Sequence, residues 1–349
     1  MKYTRALLKD VEGYVPGEQP ADPDVIKLNT NENPYPPSPM ALEALRRIRA
    51  DALRKYPDPV SLSLRAKWAE TQGYPGPEWA IAGNGMDELL ALAIRTFVDP
   101  GDTVLTTSPT YTLYETLAKL HGARMESVES DADFQLSETF FERTGRLCFL
   151  PRPNAPTGIC APREKVERLC AGFDGIVVID EAYVDFAEDN CMDFAARYDN
   201  TIVMRTFSKS FSLAGLRLGL AVANPAIIGE FLKTKDSYNL NAVTQAVGLA
   251  ALNDYEYMKM NAARVVKTRQ RTAEALRELG FQVTPSQSNF VLAQWDGQPD
   301  ARTLFESLKE RKIFVRYFDA PRLRDALRIS IGTDEEMDAF LTALREIVQ

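Results

Sequence analysis

From about residue 79 onward, short apolar runs alternate with longer segments whose apolar residues recur every three or four positions. WAIAG reads as a strand and MDELLALAIRTFV as an amphipathic helix. DPGD then forms a turn, VLTT a second strand, and SPTYTLYETLAKLHG a second helix with Ser108 and Pro109 at its start. Alternation of this kind predicts a parallel sheet with crossover helices. Three later runs, RLCFLP (146–151), GIVVID (175–180) and TIVMRTF (201–207), extend the pattern. The middle one is almost wholly apolar and β-branched, as a strand buried on both faces requires. Upstream, LNTNENPYPPSPMALEALRRI begins as a proline-rich loop and becomes a helix with Ser38 as N-cap and Pro39 at its first position. The last part of the chain differs. A helix over about 255–279 stops at Gly280, and FQVTPSQSNFVLAQW forms a strand pair or a bent strand. A helix over about 300–311, the strands FVRYF and ALRISIG, and a helix opened by the capping box Thr333-x-x-Glu336 follow. These shorter mixed segments predict a second, smaller α+β domain.

Composition narrows the chemistry. The chain has 349 residues, enough for two domains, and carries 41 basic and 49 acidic residues for a net charge of -8. An acidic chain without a basic block is a poor ligand for nucleic acid or anionic membrane. The charged N-terminal stretch MKYTRALLKDVEGYVPGEQP lacks the apolar core of a signal peptide, and no apolar run approaches the roughly 18 residues of a membrane helix. Cys148, Cys160, Cys170 and Cys191 form no C-x-x-C pair and read as reduced thiols of a cytoplasmic protein, with no metal site. The single histidine, His121, excludes H-E-x-x-H and a Ser-His-Asp triad. In LAKLHGA it reads as a cation in the last turn of a helix that Gly122 stops.

The polar residues that end the three later strands draw attention next. Asn154 lies in PNAPTG, Asp180 opens DEAYVDF, and Lys209 lies in FSKSF, with spacings of 26 and 29 residues. A βαβ unit needs about 30 residues. The three groups are therefore expected at the carboxyl ends of strands in one sheet, where open α/β folds bind ligands. Asp180 alone could cap a helix or pair with a lysine. With Tyr183 three residues on, Lys209 at the next strand end and Arg217 beyond it, another reading opens. A carboxylate for a pyridinium nitrogen, an amine for a Schiff base and an arginine for a phosphate are what pyridoxal phosphate demands. AGNGMDELLAL supplies a helix N-terminus near Met86 and Asp87, where Gly83 and Gly85 admit a phosphate. A dinucleotide fingerprint is excluded, because Met-Asp-Glu follows G-x-G where a third glycine is required. Tyr111 can face the same crevice as a stacking ring or pack in the core. Arg316 and Arg328 are either edge residues facing water or an anion clamp over the crevice.

The motifs EGYVPG, LNTNENPY, RKYPD, NGMDE, SPTY, PNAPTG, DEAYVDF, RTFSKSFSLAGLRLG, SNFVLA, VRYF and LRISIGT run nearly end to end. In that order they resemble the class II family of fold-type I pyridoxal-phosphate aminotransferases. The resemblance implies an α/β large domain, with a mostly parallel seven-stranded sheet between helices, and a smaller α+β domain. The expected division is an N-terminal segment, 1–29, joining the small domain, a cofactor-binding domain, 30–245, and a small C-terminal domain, 246–349. Lys209 is implied to hold pyridoxal 5'-phosphate covalently and then to move a proton between Cα and C4′. Asp180 would keep the ring nitrogen protonated, Asn154 and Tyr183 would bond the ring's 3-oxygen, and Tyr111 would stack on the ring. Ser208, Arg217 and the backbone at Gly85, Met86 and Asp87 would bind the phosphate. Tyr56 would reach the cofactor of a partner subunit, which implies a homodimer with shared sites. Tyr14, Asn33, Arg316 and Arg328 resemble the substrate-binding set.

The implied reaction is amino transfer between histidinol phosphate with 2-oxoglutarate and imidazole-acetol phosphate with glutamate, in histidine biosynthesis. Transamination of aromatic amino acids and decarboxylation of threonine phosphate are the alternatives on the same fold. A regulator that fuses such a domain to a DNA-binding module is disfavoured, since the enzyme fold consumes the length and no basic helix-turn-helix module is present. The chain departs from the family at Ala155, where PNNPTG is common, and at Ser210, Phe211 and Ser212, where AFGLAG is common. SYNLN (237–241) also varies around a segment that contacts substrate in the family.

Overall fold

A computed structural model of the chain describes residues 3–11 and 13–348. Glu12 of EGYVPG, and Met1 and Lys2 of the expected N-terminal segment, lie outside the described residues. In chain order the strands are β1 (Ile26–Lys27), β2 (Ala80–Asn84), β3 (Thr103–Ser108), β4 (Arg124–Glu129), β5 (Leu147–Pro151), β6 (Ile176–Asp180) and β7 (Thr201–Thr206). They continue with β8 (Leu218–Ala223), β9 (Gln282–Val283), β10 (Phe290–Gln294), β11 (Ile313–Phe314), β12 (Arg316–Tyr317) and β13 (Ala326–Ser330).

The central sheet has seven strands in the order β2-β8-β7-β6-β5-β3-β4. The run from β7 to β4 is parallel, and β8 alone runs against both of its neighbours. Strands β5 to β8 are buried on both faces, and their residues alternate between two apolar cores. Val177, Ile179 and Val203 face one core, whereas Val178, Ile202 and Met204 face the other. A second sheet, in the order β12-β13-β10-β9, is antiparallel throughout. The N-terminal β1 pairs in parallel with β11, so the start of the chain lies beside its last quarter.

Local chemistry accounts for many of the boundaries. Ser38 Oγ accepts from Met40 N at 3.1 Å to open the helix Pro39–Arg46. The capping box closes in both directions, Thr333 N to Glu336 Oε2 at 2.7 Å and Glu336 N to Thr333 Oγ1 at 3.2 Å. The long helix Tyr255–Glu278 stops before Gly280, whose φ of +95° suits glycine. His121 Nδ1 lies 2.9 Å from Leu117 O in the last turn before Gly122, as the sequence predicts.

Three expectations need correction. The helix after β3 is Leu113–His121, not a helix from Ser108 and Pro109. Ser108 O, the N-cap carbonyl that would accept the first helical bond, instead accepts from Ser130 N and Ser130 Oγ, each at 2.9 Å, while Asn154 Nδ2 donates to Pro109 O at 2.9 Å. Tyr111 therefore lies in the turn before the helix. FVRYF is two strands rather than one, because Ile313–Phe314 pair with β1 while Arg316–Tyr317 pair with β13. Strands β4 and β8 were not anticipated: the first is a largely exposed edge, and the second is an antiparallel insertion directly after the Lys209 loop.

Strand β8 also positions the helix Met86–Phe97. A Cβ on Gly219 would stand 2.6 Å from Met86 N and 2.8 Å from Met86 Cα. The helix start thus rests directly on the strand backbone, an approach only glycine permits. Gly219→Ala should destabilise the fold by about 1–3 kcal/mol, the usual cost of overpacking. Chemical denaturation measures this, and a change within about 0.5 kcal/mol, typical of unconstrained sites, would contradict the packing argument.

Candidate active site

Register places the expected groups at one end of the central sheet. Pro151 pairs with Asp180, and Asp180 with Met204, so the segments leaving β5, β6 and β7 carry Asn154, Asp180 and Lys209 out of the same edge. This is the carboxyl edge of parallel strands, where the N-termini of following helices also converge.

Asp180 is 4% exposed, and two donors reach it: Tyr114 Oη at 2.5 Å and Ala182 N at 3.0 Å. Burial, with help from the Asp87 and Glu181 charges, pushes its carboxyl up to about 6, while the two donors hold it down. Among the described residues no cation forms an ion pair with it. Tyr114, itself fully buried and stacked on Phe149 at 4.7 Å, was not singled out from the sequence. Its only signal was the spacing of two tyrosines three apart in SPTYTLY.

Lys209 is half-buried. Its Nζ donates to Thr30 O at 3.1 Å and stands 5.7 Å from the Tyr183 ring centroid. Burial comes first among the effects that lower its ammonium to about 8, followed by the charge of Arg328, with Arg217 adding to both; Glu32 and Asp87 oppose them. The loop that carries it is held from both sides. Asn33 Nδ2 donates to the carbonyls of Lys209 and Ser210 at 3.1 and 3.2 Å, so this side chain is committed to the lysine loop. Ser210 Oγ donates to Asp185 Oδ2 at 2.5 Å, and Asp185 in turn meets Arg205, which is paired with the buried Glu181 at 2.9 Å. Asp185 and Arg205 were also missed. Their connection spans 20 residues, and Ser210 is one of the positions where the family pattern has alanine.

A cradle for an anion lies beside these groups. Gly85, at φ +83°, precedes the helix Met86–Phe97, and no side chain caps that helix. Arg217 reaches over it: a Cβ on Gly85 would stand 2.6 Å from Arg217 Nη2. Arg217 Nη1 donates to Ser208 Oγ at 3.3 Å, and Nη2 meets Asp87 Oδ2 at 3.2 Å. Arg217 adopts φ +54°, a conformation that turns the chain into β8 and the guanidinium toward the cradle. Uncapped N–H groups, a hydroxyl and a guanidinium make this a fitting phosphate site.

Tyr111 Oη donates to Asp87 Oδ1 at 3.3 Å, and its ring stands edge-on to Tyr114 and to Tyr14 at 5.6 and 5.5 Å. Burial and the neighbouring Asp87 raise its hydroxyl well above the ordinary range. Tyr183 Oη accepts from Asn31 Nδ2 at 2.9 Å. Asn154 is 6% exposed. It donates to Pro109 O and Thr157 Oγ1 and accepts from Thr110 Oγ1, so it also shapes the turn that presents Tyr111.

Arg316 and Arg328 face each other as cross-strand partners on β12 and β13, with both guanidinium groups near the Phe318 ring. Like charges so placed repel, yet neither has a carboxylate partner among the described residues. Arg328 Nη2 donates to Asn29 O at 2.8 Å, and its buried Nε has no partner. Burial lowers this guanidinium, and the nearby charge of Arg316 adds to that. Tyr56 stands apart from all of these. It is 81% exposed and stacks on Tyr238 at 4.5 Å, along a groove of about 570 Å³ that includes Leu53, Gly215 and Val243.

The residues fit pyridoxal phosphate: a depressed amine, a buried carboxylate lacking a cation, and an uncapped helix start under an arginine. The family model for aminotransferases of class I and II matches residues 23–344, and the chain belongs to that family. It is an aminotransferase of the α/β fold-type I class. A histidinol-phosphate aminotransferase from Rippkaea orientalis is 46% identical over 345 residues, 98% of each chain. One from Rhodopirellula baltica is 42% identical over 353 residues, covering all of this chain and 96% of its own. The crystal structure of histidinol-phosphate aminotransferase from Sinorhizobium meliloti, in complex with pyridoxal 5'-phosphate, superposes with a TM-score of 0.90 at 27% identity, covering 100% of this chain and 98% of that one.

On the expectation that Lys209 forms the covalent link to the cofactor, only its neutral amine is a nucleophile, so capture by the apoenzyme depends on its titration. The capture rate should rise about tenfold per pH unit below about 8 and level off above it. Stopped-flow absorbance across that pH checks this; a flat or falling profile contradicts it.

Proposed function

We propose that the chain is a pyridoxal-phosphate aminotransferase that interconverts histidinol phosphate and imidazole-acetol phosphate, with glutamate and 2-oxoglutarate as the second pair, in histidine biosynthesis. The observation that carries this reading is the opposed pair Arg316 and Arg328. Two facing cations without carboxylates, one with an orphaned donor, suit a substrate bearing a phosphate or carboxylate. The 46% identity to curated histidinol-phosphate aminotransferases over nearly the whole chain supports the same substrate.

The bound cofactor supplies a carbonyl carbon that captures the substrate amine and a ring that withdraws electrons from the substrate Cα. The chain's own groups do the rest. Lys209 Nζ would attach the cofactor and, once released, would take the proton from the substrate Cα and carry it to C4′. The Asp180 carboxylate would keep a positive charge at the ring nitrogen, which would relieve the cost of its own burial. Ser208, Arg217 and the backbone from Gly85 to Asp87 anchor the phosphate, so the ring stays in place when the Lys209 bond is exchanged. Tyr111 packs against the ring, while Asn154 and Tyr183 address its 3-oxygen. Tyr14 and Asn33 complete the substrate pocket, Asn33 by holding the lysine loop beside it.

The same reading divides the chain into an N-terminal segment, 1–29, a large domain, 30–245, and a small domain, 246–349; the β1–β11 pairing supports the first boundary. It also makes the protein a homodimer in which Tyr56 reaches the partner's phosphate. Support comes from the exposure of Met40, Leu42, Leu45, Leu53, Val60 and Leu62 in the sequence flanking Tyr56, apolar side chains that association would cover. No helix among the described residues is long and apolar enough to cross a membrane, and all four cysteines are free, which supports a cytoplasmic location.

Steady-state kcat/KM should be highest for histidinol phosphate, with phenylalanine and tyrosine at least about tenfold lower, because a carboxylate offers the arginine pair less charge and fewer acceptor oxygens than a phosphate. A preference for the aromatic amino acids would overturn the substrate assignment.

A further inference from the structure

Three consecutive residues of LNTNENPY touch three different working groups. Asn29 O accepts from Arg328, Thr30 O accepts from Lys209, and Asn31 Nδ2 donates to Tyr183 Oη. Asn31 is the most constrained of them. It is 2% exposed and sits at φ +58°, a region that asparagine tolerates better than most residues. Every polar group of Asn31 is engaged. Its N–H donates to Ser330 Oγ at 2.9 Å, its Oδ1 accepts from the same hydroxyl at 3.0 Å, and its carbonyl accepts from the buried Asn289 at 2.9 Å.

This network determines which way the amide faces. Ser330 Oγ already accepts the Asn31 N–H, and Asn31 Oδ1 is the acceptor for its hydrogen. The Asn31 oxygen is thereby committed to Ser330, and the amide N–H groups point toward Tyr183. Tyr183 Oη then has a lone pair occupied at 2.9 Å, and its own hydrogen has no acceptor among the described residues. The phenol is left as a donor directed into the crevice, where Lys209 stands over its ring.

We propose that Asn31 is a positioning residue that holds the Tyr183 hydroxyl in a donating orientation toward the cofactor's 3-oxygen. Ser330 lies two residues from Arg328 on β13, so the strand that carries the anion clamp also holds Asn31. The inference rests on the reading that Tyr183 addresses the cofactor ring. A donated hydrogen bond favours the anionic form of that oxygen, so losing it raises the pH at which the bound cofactor's visible band titrates.

The experiment is a pH titration of the visible band of the holoenzyme, for wild type, Asn31→Gly, Tyr183→Phe and the double variant. Glycine accepts the positive φ; should that variant fold poorly, Asn31→Asp also tolerates it, and because its charge raises the midpoint by itself it is read against the same change made in Tyr183→Phe. The midpoint should rise by roughly half to one unit in each single variant, the equivalent of one hydrogen bond. The double variant should rise no further than Tyr183→Phe alone, because Asn31 acts through the phenol. A shift in Tyr183→Phe with none in Asn31→Gly, or none in Asn31→Asp beyond that of the same change made in Tyr183→Phe, overturns the role of Asn31 while leaving Tyr183 at the ring. Additive shifts overturn it as well, since Asn31 would then act independently. No shift in Tyr183→Phe overturns the placement of Tyr183 and the inference with it.

Discussion

The buried carboxylate of Asp180 sets the terms for the rest of the site. It ends a strand enclosed on both faces, and a phenol and one backbone N–H are too little to stabilise a charge at that depth, as its upward shift to about 6 records. A cation delivered into the crevice resolves this, and a protonated pyridine ring does so without a further protein charge. The neighbouring charges follow the same logic. Arg217 is placed over an uncapped helix start, and burial, followed by the charges of Arg328 and Arg217, loosens the hold of Lys209 on its proton. Each group is costly alone, and a single ligand with an aldehyde, a ring nitrogen and a phosphate satisfies all of them.

Burial of this kind needs a rigid frame, and the frame is unusually dependent on backbone proximity. Strand β8 runs against its neighbours and carries Gly219 at the point where the phosphate helix begins, so the helix start is seated on the sheet itself. On the other side the lysine loop is tied by Asn33, just past the N-terminal segment, and by Ser210 to Asp185 and Arg205. The N-terminal segment also contacts β13, so the anion-binding arginines and the cofactor groups share one short stretch, Asn29–Asn31, as their common support.

Much of this was legible in the sequence where a local rule governs the outcome. The apolar, β-branched runs became β5, β6 and β7, and the strand-end spacing brought Asn154, Asp180 and Lys209 to one edge because parallel βαβ units impose it. Ser38 and the Thr333–Glu336 box capped their helices because capping depends only on near neighbours. What escaped were features decided by distant residues. The helix after β3 begins late because Ser130, 22 residues away, takes the Ser108 carbonyl. Tyr114 meets Asp180 across 66 residues, and Asn31 meets Tyr183 across 152. No periodicity signals such contacts. Strand β8 was hidden for another reason: its glycine, directly after Arg217, reads as a continuation of the phosphate-binding loop.

The central claim is that this crevice binds pyridoxal phosphate covalently through Lys209. Borohydride reduction of the purified holoenzyme, followed by peptide mapping with mass spectrometry, tests it directly. One pyridoxyl adduct per chain, on the peptide carrying Lys209, is the predicted result. An adduct on another lysine, or none after incubation with the cofactor, would contradict the account.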